Sequence, residues 1–167
     1  TAAITISHSR ASIHDKITKG MGEKTLANIS VPARVIYLTM MHLLEGYEHL
    51  AEQFEMVTEK LDEAIPPWPR DFYMESFNVR REASFNLRLL RHFRTLIESL
   101  MKGRLPVPFT EEERQLLDTI YDRTVGAEEI TEMSLEIIKD LIDMHLDTVS
   151  HLSLIHISEP TRQAEIS

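Results

Sequence analysis

The sequence lacks cysteine, and it also lacks any long apolar run. The absence of cysteine excludes disulfide bonds and thiolate metal sites, and it suits a reducing compartment. A membrane-spanning helix needs roughly 18 consecutive apolar residues. The longest apolar candidate, residues 35–44, is interrupted by Thr39 and His42. The sequence therefore predicts that these residues do not cross a bilayer. Its length of 167 residues is enough for one domain with a hydrophobic core.

Positive charge is outnumbered, because 18 Lys and Arg residues stand against 27 Asp and Glu residues and the formal net charge is -9. A surface that binds nucleic acid needs clustered cationic side chains to displace the counterions of the phosphates. We therefore expect no nucleic-acid partner. Cations are the more natural partners of such a chain.

The first 30 residues predict the end of a larger domain. Residues 2–7 are rich in β-branched side chains and predict one short strand, which could not be stable without sheet partners upstream. A short helix over residues 8–19 and a loop over residues 20–30 follow. The fold class that we predict is mainly α, with this strand followed by long antiparallel helices that resemble a coiled coil.

Residues 31–109 predict an antiparallel helical hairpin. Pro32 suits the first turn of a helix that extends to about Ala64, and the prolines of residues 65–70 turn the chain. A second helix over residues 71–101 ends at Gly103. Apolar side chains in the first helix recur at steps of three and four and predict its buried seam: Met40, Leu43, Tyr47, Leu50, Phe54, Val57, Leu61 and Ala64.

Charge alternates between the predicted helices. An acidic stripe runs beside the apolar seam of the first helix, whereas the second helix is basic from Arg80 to Arg104. A basic helix between two acidic ones predicts packing against both, with flanking charges that select the register. A basic patch for nucleic acid or lipid is the alternative interpretation of the second helix.

A third helix begins at Thr110, since Thr110 and Glu113 form a capping-box pattern. It runs to His151 without a glycine–proline stop and carries a line of acidic side chains at helical spacing: Glu129, Glu132, Glu136, Asp140, Asp143 and Asp147. In a monomer this line is a solvated face. In a symmetric ring of parallel helices it could attract hydrated divalent cations.

The third helix resembles the stalk helix of the CorA family of divalent metal ion transporters. That family has a YDH-like motif, then L-L-D-x-Y-L, then V-S-N before its first membrane span. The corresponding segments here are residues 121–123, 141–146 and 149–151. The order, lengths and charge alternation of the helices agree with the family over nearly all of residues 4–151. Residues 1–30 then correspond to the end of the cytoplasmic αβα domain and residues 110–151 to the stalk.

The resemblance implies a metal site and an assembly. In the family, the aspartate of L-L-D-x-Y-L helps to bind Mg²⁺ between subunits of a homopentamer, and this binding holds the channel closed. The matching residue is Asp143. A second family site has an aspartate where this chain has Thr119, with Asp118 one position earlier, so Asp118 is the weaker candidate. His145 and His151 replace the family tyrosine and asparagine. Co²⁺, Ni²⁺ or Zn²⁺ could replace Mg²⁺ as the transported ion.

The resemblance also implies a location and a missing part. The intact protein would lie in the cell (inner) membrane through spans that follow His151, with these residues on the cytoplasmic side. Residues 152–167 instead resemble a translated sequencing adapter, and we exclude them from the predictions. We therefore expect the chain to be an internal fragment of a longer protein.

Other functions fit the sequence less well. There is no H-E-x-x-H and no Glu-x-x-His pair of the di-iron type, and nothing resembles a nucleophile elbow or a glycine-rich phosphate loop. We expect no enzymatic activity and no resident cofactor. The alternative function is a soluble coiled-coil adaptor or regulator without transport activity, in which the acidic line only promotes solubility.

Overall fold

The described part of the chain is mainly helical. The computed structural model describes residues 12–23, 26–64, 68, 71–104 and 108–164, and side chains are described only from residue 14 to residue 150. It contains four helices and no strand within these residues: α1 (Ser12–Gly20), α2 (Val31–Asp62), α3 (Phe72–Met101) and α4 (Glu111–Ala164). The predicted strand over residues 2–7 lies outside the described residues. α4 continues to Ala164, but a helical conformation does not test whether residues 152–167 come from a translated sequencing adapter.

The ends of the helices follow the local signals of the sequence. Pro32 lies in the first turn of α2, where its missing N–H breaks no helical hydrogen bond. At the end of α3, Gly103 has a φ of 65°, and the N–H groups of Gly103 and Arg104 donate to the carbonyls of Leu100 and Ser99 at 3.1 and 3.0 Å. This is the Schellman arrangement, in which a left-handed glycine satisfies the last carbonyls of a helix. The predicted end of this helix at Gly103 is confirmed.

The three long helices form an up-down-up bundle. The apolar clusters show the directions: Leu44 packs with Ile97 and Ile120, while Leu61 packs with Phe72 and Leu141. Residue numbers therefore rise together along α2 and α4 and fall along α3. α2 and α3 therefore run antiparallel, and α4 covers one side of the pair.

The predicted seam of α2 is only partly buried. Met40, Phe54 and Leu61 are in the core, but Leu43 and Leu50 are 43% and 40% exposed. Their successors in the sequence, Leu44 and Ala51, are fully buried instead. The reason is that α2 faces both α3 and α4. Its buried stripe is therefore wider than a two-helix seam, and at two positions the buried side chain is the next residue along, about 100° around the helix.

Ion pairs connect α4 to both of its neighbours. Arg91 and Arg94 of α3 reach Glu132 and Glu128 of α4 at 2.7 and 2.9 Å. Arg123 of α4 makes a two-pronged contact with Glu48 of α2, at 2.9 and 2.6 Å. The predicted packing of basic α3 against an acidic neighbour is therefore present at the contact between α3 and α4.

The loop before α2 is held by one arginine. The guanidinium of Arg34 donates to the carbonyls of Met21, Ala27 and Ile29, at 3.2, 2.9 and 2.9 Å. These bonds satisfy loop carbonyls that no regular element would pair. α1 packs along α2, and Lys16 of α1 pairs with Glu45, near the middle of α2, at 3.0 Å.

Candidate cation-binding surface of the long helix

The start of α4 is fixed by a buried carboxylate. The N–H of Thr110 donates to Glu113 Oε2 at 2.8 Å, and the N–H of Glu113 donates to the hydroxyl of Thr110 at 3.3 Å, so the predicted capping box is confirmed. Glu113 Oε1 accepts a further bond from the N–H of Ser30 at 2.9 Å. One side chain thus joins the starts of α2 and α4.

The charge state of Glu113 follows from these bonds. Burial opposes its negative charge and by itself raises the pKa, yet the hydrogen bonds from Ser30 and Thr110 outweigh burial. The pKa of Glu113 therefore lies below its usual value. Because the carboxylate stays ionised, it also interacts favourably with the positive end of the α4 dipole.

The acidic line of α4 lies on one exposed face. Each of its six members is exposed: Glu129, Glu132, Glu136, Asp140, Asp143 and Asp147. Glu132 pairs with Arg91, but the four acids from Glu136 to Asp147 form no ion pair with a described side chain. Like charges at this spacing repel one another, so the lower half of the line is a local concentration of negative charge, with Lys139 as the one lysine within it.

Asp143 is an exposed position next to buried residues of α4. Leu141 and Ile142 are 3% and 5% exposed and are the last buried residues among the described side chains of the helix, whereas Asp143 is exposed. Asp118 is exposed as well, 25 residues earlier on the same helix. At 1.5 Å per residue the two carboxylates are about 37 Å apart along the axis, so one chain cannot combine them in one site.

No group of three or more metal-ligating side chains is assembled within the residues whose positions are described. A site at Asp143 in this chain alone would have a single carboxylate and solvent. Mg²⁺ accepts that kind of coordination, since it retains several of its waters and uses few protein ligands. Further ligands would have to come from another chain.

The YDH-like segment has a packing role. The nearby hydroxyl of Tyr121 and the charge of Glu128 raise the pKa of Arg94. Arg123 is held by Glu48, whose hydrogen bonds raise the pKa of Arg123. Tyr121 and Arg123 therefore attach α4 to α3 and α2 respectively.

A cluster of rings beside Asp143 was not foreseen from the sequence. The ring centroid of His145 lies 5.2 Å from Trp68, 5.6 Å from Phe72 and 6.1 Å from Tyr73. His145 Nδ1 is buried and has no hydrogen-bond partner. The sequence signal for this cluster was its single tryptophan, Trp68, which stands between prolines, but the sequence does not say which helix the tryptophan would contact.

Sequence reasoning also missed an apolar groove between α2 and α3. It is open to solvent, has a volume of about 500 Å³, and is lined by Leu50, Phe54, Arg81, Glu82, Phe85, Asn86, Arg88 and Leu89. The signal was present in the aromatic and aliphatic side chains between the arginines of α3. This signal was obscured because the apolar spacing of α2 predicts that Leu50 belongs to the buried seam.

Comparisons of the chain with family models, with curated proteins and with solved structures find no match. Along the described residues, no helix has both the length and the apolar character that crossing a membrane requires. The function of the chain must therefore be argued from its own residues and from the resemblance of α4.

Proposed function

We propose that this chain is the cytoplasmic and stalk region of a CorA-like divalent cation channel. The observation that carries the proposal is the exposure of Asp143 on the long helix α4, directly after the buried Leu141 and Ile142. The element order of a helical hairpin followed by a long acidic helix supports it as well. The membrane spans would follow α4 in the intact protein, which would lie in the cell (inner) membrane.

The proposed mechanism is a population shift controlled by the ion itself. In a homopentamer, Mg²⁺ held by Asp143 and by groups of a neighbouring subunit stabilises the closed ring while the ion is plentiful. Loss of the ion frees the carboxylates to repel one another, and the stalks loosen so that hydrated ions enter down the membrane potential. The ion must bind the closed state more tightly, because a ligand of equal affinity shifts no equilibrium.

The experiment uses the full-length protein with Asp143→Ala and, as its matched control, Asp140→Ala. Protection by Mg²⁺ against limited proteolysis is measured over a range of ion concentrations. Asp143→Ala should shift protection to higher Mg²⁺ concentration, and Asp140→Ala should shift it less. Unchanged protection in Asp143→Ala would remove this residue from the mechanism.

The gene sequence after His151 gives an independent test. We expect two apolar spans separated by a Gly-Met-Asn loop. A stop codon or polar sequence at that place would contradict the channel proposal and favour the second candidate, a soluble helical adaptor or regulator. The observation that favours this second candidate is the exposed apolar groove between α2 and α3.

A further inference from the structure

The groove between α2 and α3 is the side of the bundle that α4 leaves open. Ala51 is fully buried in a cluster with Leu90 and Ala127, so this face of α2 is turned toward α3 and α4. Leu50, one residue earlier and about 100° around the helix, is 40% exposed and forms one wall of the groove. The opposite wall is Phe85, which is 56% exposed. Exposed apolar walls of this kind mark a surface for association.

The outer edge of the groove is positively charged and unpaired. Arg91, Arg94 and Arg123 of the bundle already have carboxylate partners. Arg81 and Arg88 form no ion pair with any described side chain, and the guanidinium carbon of Arg88 lies 5.7 Å from the centroid of the Phe85 ring. The two arginines are therefore left over after the internal pairing is complete. Glu82 is the acidic member of the lining.

The floor of the groove contains an unsatisfied polar atom. Asn86 is 2% exposed, and its amide nitrogen donates to the carbonyl of Tyr47 at 3.4 Å. Its Oδ1 is buried without a partner. A buried acceptor without a donor is costly, so this part of the lining would be stabilised by a donor that reached it.

We propose that this groove binds an acidic amphipathic helix of a partner protein. An occupant must cover apolar walls along two helices, which a helix with apolar residues at i, i+3, i+4 and i+7 does. It must also oppose Arg81 and Arg88, which selects glutamate or aspartate beside the apolar stripe. The inference is independent of the cation-channel proposal, since it involves neither Asp143 nor the acidic line of α4.

The net charge of the chain makes the test decisive. Because the chain carries -9, its overall field favours a cationic peptide over an anionic one. A preference for an acidic peptide can therefore arise only from local charge at the binding surface. Two designed 18-residue peptides serve as probes, identical in their leucine stripe, one with glutamate and the other with lysine at the flanking positions.

Binding of each labelled peptide to the whole chain is measured by fluorescence anisotropy at low and high salt. We expect the glutamate peptide to bind about tenfold more tightly at low salt, and less so at high salt, as exposed pairs are screened. Arg81→Glu/Arg88→Glu should reverse the preference. Lys60→Glu/Lys139→Glu changes the net charge equally away from the groove lining and should preserve it. Leu50→Asp should weaken both peptides.

Four results would overturn the proposal. The first is tighter binding of the lysine peptide to the unaltered chain, and the second is an unchanged preference in Arg81→Glu/Arg88→Glu. The third is binding of neither peptide while the chain sediments with phosphatidylglycerol vesicles, which would make the surface a lipid contact. The fourth is a doubled mass by light scattering that returns to the monomer value in Arg81→Glu/Arg88→Glu, which would make the occupant a second copy.

Discussion

The carboxylate of Glu113 should be one of the most sensitive positions in the bundle, because it joins two helix starts. It is 3% exposed and accepts hydrogen bonds from the backbone N–H groups of Ser30 and Thr110. In Glu113→Ala both donors lose their acceptor. Hydrogen bonds to a charged group contribute about 1.5–3 kcal/mol each, and removal of a buried carboxylate returns part of its desolvation cost. We expect a loss of about 3 kcal/mol in the free energy of unfolding.

Urea unfolding followed by circular dichroism at 222 nm measures this change. Glu113→Gln keeps the shape and one acceptor oxygen, so it should lose about half as much. Glu112→Ala, at the exposed neighbouring position, is the matched control and should change the free energy of unfolding by less than about 0.5 kcal/mol. A loss below about 1 kcal/mol in Glu113→Ala would refute the argument that this side chain connects α2 to α4.

The pH dependence tests the same carboxylate in a different way. Its pKa in the folded chain lies below the value of about 4.3 that glutamate has when unfolded. The unfolded state therefore takes up the proton first as the pH falls. The stabilisation is fully present above the unfolded pKa and is lost as the pH falls through the folded pKa. The difference in unfolding free energy between the unaltered chain and Glu113→Gln should shrink below about pH 4.

Substitutions at three glycines and one histidine extend the predictions. A Cβ at Gly46 or Gly126 would meet no atom within 4 Å, so alanine there should raise the unfolding free energy by about 0.5–1 kcal/mol in urea titrations. Gly103→Ala should instead lower it by about 1 kcal/mol, since φ is 65°; a gain would contradict the left-handed C-cap. His145→Phe keeps a ring beside Trp68 and removes the unsatisfied Nδ1, so stability should not fall.

The parts of the fold that depend on local chemistry were predictable from the sequence. The capping box at Thr110 and the glycine stop at Gly103 are each decided by a few neighbouring residues, and most of the predicted turn over residues 65–70 lies outside the described residues. For that reason the order and the starts of the three long helices lie close to the prediction, whereas α4 extends to Ala164, past the predicted end at His151. The acidic line of α4 and the basic character of α3 were predictable for the same reason, since both depend only on the spacing of side chains along one helix.

The parts that depend on contacts between helices were not predictable. Leu43 and Leu44 are both leucines, so the sequence cannot say which of them faces the core until α3 and α4 are both in place. The contact of His145 with Trp68 spans 77 positions and depends on how the chain turns after α2. The groove and its unpaired arginines follow from the same packing, because only the arrangement of α4 determines which arginines of α3 receive a carboxylate.

Ion pairing distinguishes the acids of α4 that are neutralised within the bundle from those that are not. Along α4 the upper acids lie beside α3, where Glu128 and Glu132 are neutralised by Arg94 and Arg91. Asp143 lies lower, beyond the reach of those arginines, in a stretch where no described base pairs with an acid. A divalent cation would gain little at a carboxylate that an arginine already neutralises, and more where neighbouring acids repel one another. The proposed Mg²⁺ site therefore fits the unpaired stretch from Glu136 to Asp147, which contains Asp143, better than it fits Glu132.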